Sequence, residues 1–232
     1  METKHINSIK GILFIGLSIY LSFTFNNALS NLVSKSPMGW VSSSIILRLI
    51  ISLSFARGLQ LFVQNFVSII KPIFIFLIGI LLGFGVSFIT PIYTTDYSEM
   101  NATDLQLDFD KLSLKTNNSI LLNDKPIVIA FFSTNCPHCK TTSKLLGTSV
   151  NAGKSPKVYA LFTGAKNDAE NFIIENKGKN FKTILINDDA FFVEASGGAF
   201  PSIFLLNAKG KTLRHWSGEL SYPALDFIIS HQ

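Results

Sequence analysis

The sequence predicts an α/β domain, a central sheet flanked by helices, preceded by an α-helical transmembrane region. Three observations carry this expectation. Residues 1–93 hold only seven charged side chains (Glu2, Lys4, Lys10, Lys35, Arg48, Arg57, Lys71), whereas residues 94–232 hold fourteen basic and fourteen acidic ones. From residue 122 onward, short β-branched and aromatic runs alternate with stretches of helical period. The chain's two cysteines, Cys136 and Cys139, stand three apart where one such run gives way to a helix.

The formal charge of +5 belongs entirely to the apolar part, since the remainder sums to zero. That excludes reading the basic balance as a nucleic-acid surface, and no nucleic-acid partner is expected. Three membrane spans are expected, at roughly 11–30, 41–63 and 70–92. The first and third rest on the uncharged runs 11–34 and 72–95, and the second is interrupted by Arg48 and Arg57. Lys4 and Lys10 precede the first span, and Arg57 and Lys71 surround the second-to-third turn. With basic residues kept inside, everything after about residue 93 lies outside the cytoplasmic membrane. The expected location is therefore the cell inner (cytoplasmic) membrane, multi-pass, with the C-terminal domain periplasmic or otherwise extracytoplasmic. Lys4, Lys10, the apolar run and Ala28-Leu29-Ser30 also fit a cleavable signal peptide. Arg48 sits some seven positions inside its span and is read as snorkelling to the outer headgroups, the alternative being a bundle-facing side chain that binds a partner or a quinone-like headgroup.

The expected organisation is a helical membrane region over 1–93, an extracytoplasmic linker over 94–121 and an α/β domain over 122–232. The linker is polar and lacks a sustained apolar period, with one early strand near 118–122. Residues 126–133 (PIVIAFFS) form a continuous apolar run suited to a strand buried on both faces. A helix follows from about Cys136, with Leu145 and Leu146 facing inward. Next come a strand at 157–162, a helix at 166–177 beginning near Asn167 or Asp168, a short strand at 183–186 and a short helix at 188–196. Strands at 202–206 and 211–216 flank the turn Asn207-Ala208-Lys209-Gly210, and His215-Trp216 is read as a strand pair at the sheet edge. The closing helix starts at Ser221 and buries Leu225, Ile228 and Ile229.

A buried strand, Cys136-Pro137-His138-Cys139 opening a helix, and Phe200-Pro201 leading into a hairpin and terminal helix together resemble the thioredoxin fold of membrane-anchored bacterial proteins of the TlpA and DsbA type. The resemblance covers about 110 residues, nearly all of the chain beyond the linker. It implies a cis peptide bond at Phe200-Pro201, lying against the cysteine pair. The membrane region is more weakly similar to DoxX- and MauE-type modules, which usually carry four spans. The chain departs from cytosolic thioredoxins in holding Ala130 six residues before the first cysteine, where they carry a buried Asp, and Asn135 where they carry Trp. Proton delivery to Cys139 then needs water or another group, Glu194 being the candidate.

The motif suits disulfide exchange on elementary grounds. A free cysteine titrates near ~8.5 and is mostly protonated at neutral pH. At a helix N-terminus, unpaired backbone N–H groups and the positive dipole end favour the thiolate of Cys136. Pro137 fits the first turn, where its missing donor costs nothing. His138 can further favour the anion, and Cys139, one turn on, can resolve a mixed disulfide. Three adjacent ligands leave tetrahedral coordination incomplete, so no metal site is expected. The expected activity is that of a membrane-anchored protein thiol–disulfide oxidoreductase. Cys136 and Cys139 are its catalytic residues, Pro137 and His138 support the dithiol, and Phe200 and Pro201 line the substrate rim. No cofactor is expected. The expected partners are protein thiols or disulfides, the membrane, and a membrane or soluble redox partner. The competing reading is a non-catalytic thioredoxin-like binding or assembly module, or a metallochaperone, tethered to the membrane.

Overall fold

The computed structural model describes residues 2–64, 66, 70–89, 97–98 and 101–232. The chain forms two compact units, Met1–Tyr93 and Thr94–Gln232.

The first unit is helical: α1 (Glu2–Phe23), α2 (Phe25–Lys35), α3 (Trp40–Val63) and α4 (Pro72–Ser87). Small residues let its helices approach closely. A Cβ added at Gly11 would come within 2.8 Å of the Gly58 carbonyl, and one at Gly83 within 2.7 Å of the Ser52 carbonyl, so α3 packs intimately on both α1 and α4. Ser52 Oγ adds a hydrogen bond to the Ile80 carbonyl at 2.8 Å. The outward faces of α1 and α4 expose Ile9, Ile12, Leu13, Phe74, Leu77, Ile78 and Leu81, a surface suited to lipid.

Two of the sequence expectations change here. Among the described residues, two helices, His5–Phe23 and Trp40–Val63, are long and apolar enough to cross a membrane, rather than three. The first apolar stretch leaves helical geometry at Thr24, whose hydroxyl donates back to the Tyr20 carbonyl. The third ends at Ser87, and its 16 residues extend about 24 Å against a hydrocarbon core of about 30 Å. The end of the expected third span (90–92) lies outside the described residues. Arg48 does not snorkel; it is 5% exposed. Its Nη1 donates to the Ser87 carbonyl, the last residue of α4. Its guanidinium lies over the rings of Phe25 and Phe88 at 4.3 and 5.1 Å. The negative end of a helix and two aromatic faces compensate the charge where it stands.

The second unit holds β1 (Ala102–Thr103), α5 (Phe109–Lys115), β2 (Ile127–Phe131), α6 (Pro137–Asn151), β3 (Lys157–Phe162), α7 (Lys166–Glu175), β4 (Lys182–Leu185), α8 (Asp189–Ala195), β5 (Ser202–Leu206), β6 (Thr212–Ser217) and α9 (Tyr222–Ile229). Among the described residues they build a six-stranded sheet in the order β1-β6-β5-β2-β3-β4. The parallel β2-β3-β4 half comes from two helical crossovers and the antiparallel β2-β5-β6 half ends in a hairpin. This is a thioredoxin-like fold.

β2 is buried along its whole length, as its continuous apolar run requires. Ile127, Ile129 and Phe131 join Tyr159, Phe204, Phe191 and Phe192 in one core that reaches α5 and α8. On the other face, Phe132, Phe162 and Phe172 form an aromatic cluster with centroids 5.3–6.0 Å apart, which seats α7. Trp216 meets Phe227 of α9 edge-on at 5.9 Å. Leu146, Phe172, Ile173, Leu225 and Ile228 are buried as their spacing requires, whereas Leu145 and Ile229 are half-buried and Ile174 is exposed. α7 starts at Lys166 with Asn167 and Asp168 in its first turn as expected, and its N-cap residue, Ala165, offers no side-chain cap.

The segment before β2 differs from a plain linker. α5 is capped by Asp108, which accepts from the Lys111 N–H. Leu107, Leu112 and Ile120 are buried in the main core. β1 pairs with β6 (Ala102 opposite Trp216, Thr103 opposite His215), so His215 and Trp216 lie one strand in from the edge and both are buried.

Candidate active site

The end of β2 delivers the chain into α6 at the cysteines. Cys136 occupies the N-cap position in an extended conformation, with Pro137 in the first turn. The Cys139 N–H donates to Cys136 Sγ at 3.2 Å, one of the orphan donors of the helix start turned onto sulfur. Cys136 Sγ donates in turn to the Phe200 carbonyl at 3.6 Å. Cys136 is half-buried and Cys139 is fully buried, and both are free cysteines. Burial, and then the hydrogen bond with Cys136, push the Cys139 thiol far above its ordinary range, so its proton is held firmly.

The opposite wall is the loop entering β5. The Phe200–Pro201 peptide bond is cis. Pro201 is buried, and the half-buried Phe200 ring stacks on Phe192 of α8 at 5.4 Å. The strand register that sets Phe131 of β2 opposite Ser202 of β5 brings the two loops side by side, so residues 64 positions apart meet at the sulfur.

His138 lies beyond the sulfur contacts. It is exposed, and its Nδ1 pairs with Glu219 Oε2 at 2.9 Å. Glu219 follows β6 in a loop tied down on several sides. The Gly218 N–H donates to the Pro201 carbonyl at 2.7 Å, Asn101 Nδ2 donates to the Glu219 carbonyl at 2.6 Å, and the Leu220 N–H donates to Thr142 Oγ1 of α6 at 3.2 Å. Gly218 has φ +96°, a conformation that favours glycine. Sequence reasoning missed Glu219, Gly218, Asn101 and Thr142; a lone acid in a Ser-Gly-Glu-Leu loop carries no spacing signal that pairs it with a motif 81 residues earlier.

Glu194 does not serve Cys139. It is exposed and pairs with Lys111 at 2.8 Å. Ala130 is buried in mid-strand, and among the described residues no Asp or Glu is buried. Nor do the described residues contain a cluster of three or more His, Cys, Asp or Glu able to hold a metal ion.

Several solved structures are similar to part of this chain. A secreted Mycobacterium tuberculosis disulfide oxidoreductase homologous to E. coli DsbE is 18% identical with a TM-score of 0.41, over 48% of this chain and 84% of its own. StoA from Bacillus subtilis is 21% identical with a TM-score of 0.39, over 45% of this chain and 82% of its own. A putative thioredoxin from Neisseria meningitidis is 22% identical with a TM-score of 0.40, over 47% of this chain and 75% of its own. No family model and no curated protein matches the chain. The likeness of residues 1–93 to DoxX- and MauE-type modules has no counterpart among these matches.

Proposed function

We propose that the chain is a membrane-anchored thiol–disulfide oxidoreductase acting on protein thiols or disulfides outside the cytoplasmic membrane. One observation carries the reading. A half-exposed sulfur caps the N-terminus of α6, takes the Cys139 N–H, and sits against the carbonyl of Phe200 at the cis bond. That sulfur can be reached and can carry charge, while its buried neighbour keeps a proton until it is needed.

In the reducing direction, the Cys136 thiolate attacks a substrate disulfide, forming a mixed disulfide and expelling a substrate thiolate that takes up a proton. Cys139 then loses its proton and attacks Cys136 Sγ. The second substrate thiol leaves, the Cys136–Cys139 disulfide forms, and two electrons have passed to the substrate. The oxidising direction reverses each step, with a substrate dithiol as the reductant. Phe200 and Pro201 form the rim where a substrate backbone lies. Pro137 and His138 shape the start of α6, and no cofactor enters the balance.

The test is turnover of insulin disulfides with a dithiol reductant. Cys136→Ala is expected to lose activity outright, and Cys139→Ala to lose turnover while accumulating a mixed disulfide through Cys136. A wild-type chain that binds thiol proteins without turning them over would instead be a non-catalytic module.

A further inference from the structure

The histidine between the two cysteines is held by a carboxylate and not by sulfur. Among the described residues, the hydrogen-bond partners of Cys136 Sγ are the Phe200 carbonyl and the Cys139 N–H, while His138 Nδ1 is engaged by Glu219 at 2.9 Å. We propose that Glu219 is a positioning residue that pins His138 Nδ1 and keeps its proton from the Cys136 sulfur, restraining the oxidising strength of the Cys136–Cys139 pair. The proposal rests on the oxidoreductase reading above and deepens it.

The geometry gives Glu219 a firm base. Its own carbonyl is held by Asn101 Nδ2, the residue before it by the Pro201 carbonyl, and the residue after it by Thr142 of α6. The loop between β6 and α9 thus clasps both walls of the site, and its carboxylate is delivered to the motif by backbone contacts. An imidazole Nδ1–H makes one hydrogen bond, and a carboxylate is a stronger acceptor than a thiol. In the reduced protein an N–H released from Glu219 could stabilise the Cys136 thiolate, and whatever stabilises the reduced form makes the disulfide more oxidising. The negative charge of Glu219 acts in the same sense, since it disfavours a second anion nearby. Both partners are part-exposed, at 68% and 40%, so the effect is that of a surface pair and amounts to a few-fold in the equilibrium.

The experiment equilibrates the full-length chain in detergent micelles with reduced and oxidised glutathione and compares wild type, Glu219→Gln, Glu219→Asp, His138→Ala and the His138→Ala/Glu219→Gln double variant. Glu219→Gln is expected to move the equilibrium about threefold toward the dithiol, equivalent to ~14 mV. Glu219→Asp should recover part of that shift, and in the His138→Ala background the Glu219 substitution should change nothing. Long-range proton–nitrogen spectra should show the Nδ1–H tautomer of His138 in wild type and its loss in Glu219→Gln. An equilibrium within about 1.5-fold of wild type, a shift toward the disulfide, or an equal shift without His138 would each overturn the proposal. If the wild-type chain exchanges nothing with glutathione, the oxidoreductase reading falls and takes the redox role of Glu219 with it. The tautomer spectra read the Glu219–His138 pairing separately, so the two failures are told apart.

Discussion

His215 shows how one buried side chain couples the site to the edge of the sheet. Its Nε2 pairs with Ser202 Oγ at 2.8 Å, directly after the cis proline, its Nδ1 pairs with Thr103 of β1, and its ring lies 4.2 Å from that of Phe204. At 2% exposure, burial lowers its pKa from 6.5 to about 4. The group is therefore neutral in the fold and takes up a proton more readily once unfolded. Its stabilising contribution is whole above pH 6.5 and declines as the pH falls toward 4, by about 3 kcal/mol at most. Urea midpoints measured from pH 7 to 4 are expected to fall across that window in wild type and to fall much less in His215→Asn, whatever the variant's starting stability. Asp188, whose carboxyl is lowered by Lys115, works in the same direction but below its ordinary value of 3.8, outside the window. An identical slope in the two proteins would show that His215 is not the titrating group.

At the scale of elements, α6 carries both cysteines and is fixed from behind by a glycine. A Cβ at Gly147 would come within 2.2 Å of the Lys177 carbonyl, and the neighbouring Ser143 Oγ reaches the Asn176 carbonyl at 3.0 Å. In an open helix, Gly→Ala would gain up to about 1 kcal/mol. Here the clash is with backbone, and Gly147→Ala is expected to destabilise the fold by about 1–3 kcal/mol and to slow disulfide exchange by displacing the helix start. Thermal unfolding and the insulin assay read both effects; a stabilised variant would refute the packing argument. Strands and helices with a clear apolar period were legible in the sequence: β2, β3, β5, the 207–210 turn and α9 follow from it within a residue or two. β1 and α5 were not, because a two-residue strand has no period and a seven-residue helix shows little more than its Asp108 cap. The same limit hid Glu219. Local pattern announces the start of α6, whereas the acid that meets His138 is brought there by three-dimensional closure of the β6–α9 loop.

For the whole chain, the proposed location of the dithiol outside the membrane makes a demand on the helices of the first unit. With the N-terminal basic residues kept inside, as the charge pattern expects, the proposed extracytoplasmic dithiol requires an odd number of crossings, so α4 would have to cross as well as α1 and α3. α4 reaches about 24 Å, and its last carbonyl is met by Arg48 roughly 12 Å along α3 from Trp40. The Arg48 guanidinium closes the C-terminal end of α4, and a helix of that length would cross a bilayer only where it thins locally. A short crossing is then compatible with an extracytoplasmic domain. The chain supplies its own probe, since Cys136 and Cys139 are its only cysteines and Cys139 is buried. After mild reduction of intact cells, a membrane-impermeant maleimide is expected to label the protein once, at Cys136, with no gain on permeabilisation. Labelling that appears only in opened cells would place the dithiol in the cytosol. Thiols are kept reduced there, and exchange with envelope proteins would be excluded while the chemistry at α6 stood.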